Sequence, residues 1–220
     1  MLIIGFVGLS FVLSIIMLPL VIKFCHKHGL YDKIDARKVH TGKIPRLGGL
    51  AIALPFFFSS ILYYHFKQEI SISQILPLII AGGIIYIFGL IDDLFDLKAW
   101  IKLIAQIIAT TVVVANGFHF TEFLGWKLPA VISIVLTFGW VLGLINAYNL
   151  IDGLDGQCGM LSWTAILTLG IAFFMSGNVE SGLCFILAGS ITGFLIFNFP
   201  PAKIFMGDNG SQFLGFMIAI

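Results

Sequence analysis

The sequence predicts an all-α, polytopic transmembrane helical bundle, and three observations carry that prediction. Apolar residues make up 59% of the 220 positions and charged residues only 10%, against about 25% charged in a soluble globular domain. Mean hydropathy is +1.06. Apolar stretches of span length recur along the chain with short polar loops between them, and a bilayer-crossing helix takes about 20 apolar residues.

In order, the apolar stretches read as seven full spans and the start of an eighth: 2–22, 48–66, 75–91, 100–116, 128–147, 161–176, 181–198 and 211 onward. The first has no small-residue cleavage signal and is followed by further spans, so it reads as a membrane helix and not as a signal peptide. Pro19, Pro55 and Pro77 fall within or near spans, where membrane helices tolerate them. The final run, FLGFMIAI, stops at Ile220 before it can cross, so the expectation is a single membrane domain over 1–220, truncated at its C-terminal side. Cys25, Cys158 and Cys184 show neither paired nor metal-ligand spacing, which points away from disulfides and zinc.

Orientation follows from Lys and Arg. Seven of the twelve lie between Lys23 and Arg46, and an excess of Lys and Arg marks a cytoplasmic loop. Alternation then assigns 23–47, 92–99, 148–160 and 199–210 to the cytoplasm, with the N-terminus outside. The opposite loops, near Lys67–Gln74, Gly117–Lys127 and Ser176–Glu180, are short and poor in charge. Eight of the eleven acidic residues fall on the cytoplasmic side by this reckoning, which used no acid to set it. Acids at the ends of membrane spans are functional candidates.

Asp92 and Asp93 close the third span. Neighbours on a helix diverge by about 100°, so one can bind metal or activate a nucleophile while a Lys or Asn holds the other. The plainer reading is a pair of interfacial acids at a helix junction. Lys102 follows on the next span, with Gln106 one turn further on the same face. Asn146, Asn149, Asp152 and Asp155 recur every three residues, which on a helix draws a polar stripe toward one cavity; the plainer reading is a loop of Asx turns. Asp208 stands between Gly207 and Gly210. Glycine lets backbone approach an anion, and a helix starting near Ser211 would aim its positive end at a phosphate. A lone Asp there also suits Mg²⁺, which takes one or two carboxylates plus phosphate oxygens. Arg37, Lys38, His40, Lys43 and Arg46 precede Gly48-Gly49 and read either as the topology signal or as a clamp for a phosphate. Phe205 is placed to stack on a base.

Four segments, RKVHTGKIPRLGG, GLIDDLFDLKAWIKLIAQ, NAYNLIDGLDG and FNFPPAKIFMGDNGSQFLGF, fall between Asp35 and Phe216. In that order they resemble the signatures of the polyprenyl-phosphate N-acetylhexosamine-1-phosphate transferases (glycosyltransferase family 4). IPRLGG and NAYNLIDGLDG resemble the branch that uses undecaprenyl phosphate and UDP-N-acetylglucosamine; the peptidoglycan branch typically has TPTMGG in the first position. The resemblance implies a bacterial inner-membrane enzyme of cell-envelope polysaccharide synthesis. It would be Mg²⁺-dependent, with Mn²⁺ as a substitute, would face the cytoplasm and would form a homodimer, without a nucleic-acid partner. It implies Asp92 and Asp93 as the essential acidic pair and Asp208 as the metal ligand. Asn149, Asp152 and Asp155 would lie in the catalytic and nucleotide cleft, with Asn146 beside them. Asn198 and Phe205 would form the uridine pocket, and Lys38, Arg46 and Lys102 would meet the phosphates. Two departures stand out. Gln157-Cys158 replaces the Leu-Ala that usually follows DGLDG, and the family's later His-containing loop would fall beyond Ile220.

Two rival readings remain from the residues. A cation-coupled transporter would place acids near the midplane and on both sides. A CDP-alcohol phosphotransferase would carry an Arg after its Asp-Gly motif, where this chain has Gln157.

Overall fold

The computed structural model describes residues 2–32, 43–67 and 72–220. It is a bundle of eight α-helices: α1 (Leu2–His28), α2 (Leu50–Lys67), α3 (Leu76–Phe95), α4 (Ala99–Ala115), α5 (Ala130–Ile151), α6 (Gln157–Met175), α7 (Ser181–Asn198) and α8 (Asp208–Ala219). Among the described residues, six of these, all but α4 and α8, are long and apolar enough to cross a membrane. The expected seven full spans therefore become six by that measure, because α4 is only 17 residues long. The chain runs up and down through the bundle, so four junctions share one end: α1 to α2, α3 to α4, α5 to α6 and α7 to α8.

Burial sorts the helices. Only 17% of the apolar stretch of α1 is buried, against 72% of that of α7. Helix α1 is thus peripheral and α7 central, packed against α1, α2 and α6. Helix α8 fills the space between α3 and α5. Phe213 on α8 anchors it, with ring centroids 5.7 Å from Phe56, 5.4 Å from Phe57 and 6.4 Å from Tyr86. Small residues let backbones close up: a Cβ on Gly89 of α3 would lie 2.7 Å from Asn209 Cα and 2.8 Å from the Asp208 carbonyl oxygen. The start of α8 is seated against that bare stretch of α3.

Several boundaries differ from the sequence expectation. Helix α1 continues to His28 and takes Lys23 and Lys27 into the helix. Helix α3 continues to Phe95, so Asp92 and Asp93 sit within it and not in a loop. It ends on Asp96 in the left-handed region (φ 50°). Helices α6 and α8 start earlier than expected, at Gln157 and Asp208. The loop after α4 carries a small hairpin, Glu122–Phe123 paired antiparallel with Trp126–Lys127. Both turn residues, Leu124 (φ 51°) and Gly125 (φ 84°), have positive φ, as the tightest hairpin turns require.

Candidate active site

The polar residues singled out above meet at the end where these four junctions lie. Lys102, in the first turn of α4, points back toward α3 and donates from Nζ to Asp92 Oδ2 at 2.8 Å. The same ammonium reaches Asp208 Oδ2 at 3.3 Å. Asp92 is nearly fully buried, and its other oxygen accepts the Leu97 N–H at 2.7 Å. A buried carboxylate costs several kcal/mol unless paired, and here Lys102 pairs with it and links it to the half-buried Asp208. Burial pushes the Asp208 carboxyl up. Its polar neighbours, Asn149 and the Lys102 ammonium among them, outweigh that and hold it below the usual carboxylate range.

Asp93 faces another way, as the angle between helix neighbours requires. Oδ1 accepts the backbone N–H of Asp208 at 3.0 Å, and Oδ2 accepts the backbone N–H of Asn209 at 2.9 Å. The Asn209 side-chain amide also donates to Oδ2. Asp93 therefore caps α8 from another helix. The expectation that the α8 N-terminus points at a phosphate is corrected by this: its first two N–H groups already hold a carboxylate. Arg46 donates to the Asp93 carbonyl oxygen and stands 3.9 Å from Asp96 Oδ1, so it braces the end of α3 as well as lining the cavity beside it.

That cavity has a volume of about 180 Å³ and is lined by Asp32, Arg46, Asp93, Asn149, Asp152, Phe205 and Asp208, with Gly153, Leu154 and Gly207. Of the expected site residues it brings together Arg46, Asp93, Asn149, Asp152, Phe205 and Asp208, and Asp32 joins them although the sequence reading did not single it out.

The expected polar stripe is divided instead of converging. Helix α5 ends at Ile151, so only Asn146 and Asn149 are helical. Asn149 donates to Ser211 Oγ at 3.1 Å. Asn146 lies about one turn further back along α5 and donates to Gln106 Oε1 at 3.0 Å. Asp155, beyond the turn, accepts the Ala202 N–H at 2.9 Å and does not line the cavity. Asn198 is buried and also stays out of it: Oδ1 accepts the Gly156 N–H at 3.1 Å and Nδ2 donates to the Ile204 carbonyl at 2.8 Å. Asp155 and Asn198 thus fasten the 199–207 loop to the α5–α6 turn, and that loop delivers Phe205 and Gly207 to the cavity. Lys38 lies outside the described residues, as do Arg37 and His40. Sequence reasoning left Asn209 and Gln212 unassigned. Gln212 is signalled by its place one turn after Asp208, to whose Oδ2 it donates at 3.3 Å.

The donor set can be tested against a divalent cation. Among the described residues, no three His, Cys, Asp or Glu side chains cluster at metal-binding distance. Mg²⁺ does not need three, since it takes one or two carboxylates and completes its shell with water and phosphate oxygens. Asp208 and Asp152, lining one cavity, fit that requirement.

Fold and site define a multi-pass helical membrane protein with a buried carboxylate and lysine centre at one end. The chain belongs to glycosyl transferase family 4, whose profile matches residues 75–220. It is 34% identical over 222 residues to the probable undecaprenyl-phosphate N-acetylglucosaminyl 1-phosphate transferase of Bacillus subtilis, covering 96% of this chain and 60% of that protein. It is 34% identical to the phospho-N-acetylmuramoyl-pentapeptide-transferase of Lactobacillus helveticus, covering 94% and 70%. The decaprenyl-phosphate N-acetylglucosaminephosphotransferase of Mycobacterium leprae is 36% identical, with 83% and 51% covered. The chain therefore spans between about half and 70% of the length of these relatives.

Proposed function

We propose that the protein transfers N-acetylglucosamine 1-phosphate from UDP-N-acetylglucosamine to undecaprenyl phosphate. An oxygen of the lipid phosphate attacks the sugar-linked phosphorus of the donor. The bond between that phosphorus and the bridging oxygen breaks, and UMP leaves with the bridging oxygen. The product is the lipid-linked diphospho-sugar. The observation that carries this reading is the Asp92–Lys102–Asp208 bridge beside a cavity lined by Asp152, Asn149 and Phe205.

Phosphoryl transfer needs positioning and charge compensation more than covalent help from the protein. Lys102 supplies a fixed positive charge between two carboxylates and offsets charge on the reacting phosphates. Asp92 orients the acceptor phosphate and takes its proton. Asp93 holds the start of α8, and through it Asp208, at the correct distance from α3. Phe205 offers a ring face to the uracil, and Arg46 a guanidinium to the diphosphate. Asp208 and Asp152 would hold Mg²⁺ or Mn²⁺, which supplies Lewis-acid stabilisation of phosphate charge when bound. The site faces the cytoplasm in this reading, where the nucleotide sugar is available, and the lipid enters sideways from the bilayer.

A membrane transfer assay tests the proposal, with radiolabelled UDP-N-acetylglucosamine, undecaprenyl phosphate and Mg²⁺. UDP-N-acetylmuramoyl-pentapeptide is run in parallel, because the Lactobacillus helveticus relative carries the pentapeptide name. Label in lipid from the first donor with release of UMP is the expected result. Label from the second donor alone moves the chain to the peptidoglycan branch, and label from neither overturns the reading.

A further inference from the structure

A file of three side-chain amides leads from Asp208 into the apolar part of the bundle. Asn146 on α5 donates from Nδ2 to Gln106 Oε1 on α4 at 3.0 Å. Gln106 donates from Nε2 to Gln212 Oε1 on α8 at 3.3 Å. Gln212 donates from Nε2 to Asp208 Oδ2 at 3.3 Å. Gln106 and Gln212 are only 3% and 5% exposed, so their amides have no water to fall back on.

The direction of this file is set by chemistry. An ionised carboxylate only accepts. Gln212 must therefore turn its NH₂ toward Asp208, which leaves its oxygen for Gln106. Gln106 must then turn its NH₂ toward Gln212, which leaves its oxygen for Asn146. Every donor points toward Asp208. The file ends on the oxygen that also receives Lys102, so two donors from two helices pin Oδ2. Buried amides such as those of Gln106 and Gln212 are unfavourable among apolar spans unless bonded, and packing alone would be served by leucine. Asn146, at the exposed end of the file, also donates to the Leu142 carbonyl at 2.7 Å.

We propose that Asn146, Gln106 and Gln212 are positioning residues. They form a directed hydrogen-bond relay that fixes the Asp208 carboxylate, with Oδ2 held toward Lys102, for the transfer reaction. The inference rests on the transferase reading above. Its signature is sensitivity to polarity instead of volume. Asn146→Asp keeps the shape of the side chain but replaces the donor with an acceptor. Gln106 then turns its NH₂ toward the introduced carboxylate and its oxygen toward Gln212. Gln212 turns in response and brings its own oxygen against Asp208 Oδ2. Asn146→Leu removes the terminal donor but leaves the other two amides in their original sense.

The test uses the purified full chain in lipid nanodiscs, with kcat and donor KM measured for four variants. Asn146→Asp is expected to lower kcat about thirtyfold and Asn146→Leu about threefold, with donor KM within about twofold of wild type, because the defect lies in alignment and not in ground-state binding. Gln106→Leu interrupts the relay, so combining it with Asn146→Asp is expected to be no worse than Gln106→Leu alone, a strong non-additivity between sites in one network. Equal loss in Asn146→Asp and Asn146→Leu, or simple addition in the double variant, overturns the relay. A second readout does not depend on turnover: the infrared carboxylate stretch of Asp208, isolated by subtracting the same background carrying Asp208→Asn. It is expected to shift in Asn146→Asp and not in Asn146→Leu. A shifted band in a chain that transfers neither donor keeps the relay and sinks the transferase reading. An unshifted band in an active chain does the reverse.

Discussion

Asp93 Oδ1 accepts the backbone N–H of Asp208 at 3.0 Å, and this bond ties the last turns of α3 to the first residue of α8. The second oxygen takes the next N–H, from Asn209, at 2.9 Å. Helix starts leave N–H groups without partners inside the helix, and a negative charge is favoured there. An acid that the motif offers as a catalyst is thus the cap of a helix 115 residues away. Its neighbour Asp92, rotated by one helical step, is the one that meets Lys102.

This division predicts different phenotypes for the two acids. Asp93→Ala leaves two backbone N–H groups and a side-chain amide buried without acceptors. Hydrogen bonds to charged groups contribute about 1.5–3 kcal/mol each, so a marked drop in thermal midpoint is expected together with about 100-fold loss of transfer. Asp92→Asn is expected to lose turnover comparably with a much smaller shift in midpoint. Thermal denaturation of both purified variants, read beside kcat, checks this. An unchanged midpoint in Asp93→Ala removes the capping role.

Lys102 is the one cation shown bonded to both Asp92 and Asp208 among the described residues. Lys102→Met keeps the length of the side chain and removes the charge. The two carboxylates then repel each other and the phosphates lose their compensating charge. A fall in kcat of about 100-fold is expected, within the range for removing an electrostatic stabiliser. Lys102→Arg is expected to recover only part of it, because a planar guanidinium cannot replace a point charge with three donors between two oxygens. Steady-state rates at saturating donor decide this, and full recovery in the Arg variant would mean that charge alone matters.

The helices were legible because apolar runs of span length leave few alternatives. Asp92, Asp208 and Lys102 were legible as charges at span ends, where each needs a partner. The partner of Asp93 was not, since nothing local announces a carboxylate that caps a helix 115 residues later. The Asn146 to Asp155 stripe misled for a different reason. Its reading needed all four residues on one helix, whereas α5 ends at Ile151, ahead of Asp152, and Asp155 lies beyond the turn, bonded to Ala202. Gln106 and Gln212 did carry a signal: each follows a charged residue, Lys102 and Asp208, by one helical turn.

Gly89 makes the seating of α8 testable by one methyl group. Its Cβ would fall 2.7 Å from Asn209 Cα and 2.8 Å from the Asp208 carbonyl oxygen, and both neighbours are backbone that Asp93 holds in place. Overpacking of this kind costs about 1–3 kcal/mol. Gly89→Ala is therefore expected to lower the thermal midpoint and transfer together, whereas Gly83→Ala, on the same helix with open space around it, is expected to change neither. Matching midpoints for the two variants would show that α8 can shift without loss.

Asp155 and Asn198 hold the 199–207 loop without lining the cavity, so their loss is expected to act through Phe205. Asn198→Ala leaves the Gly156 N–H and the Ile204 carbonyl unpaired in a buried setting, and Asp155→Ala frees the Ala202 N–H. Both are expected to raise donor KM about tenfold with kcat within about threefold, the pattern of weakened substrate binding. Phe205→Ala is expected to do the same directly. Asp155→Asn, which keeps an accepting oxygen for Ala202, is expected to stay near wild type, and a kcat effect as large as that of Lys102→Met would place Asp155 in the chemistry instead.

Metal removal bears on the role assigned to Asp208. Chelation with EDTA is expected to abolish transfer, and added Mg²⁺ to restore it. Asp208→Asn keeps the hydrogen-bonding shape but removes the charge, so the Mg²⁺ concentration for half-maximal rate is expected to rise at least about tenfold, as for loss of one of the two carboxylates assigned to the ion. Asp152→Asn is expected to raise it less, because Asp208 is bonded to Lys102, the charge that compensates the reacting phosphates. The titration separates this from a purely structural loss: a misplaced site lowers the maximal rate at every Mg²⁺ concentration, while a lost ligand moves the midpoint. If Asp208→Asn shows the wild-type midpoint with only a lower plateau, its carboxylate serves Lys102 and the amide relay and does not hold the ion.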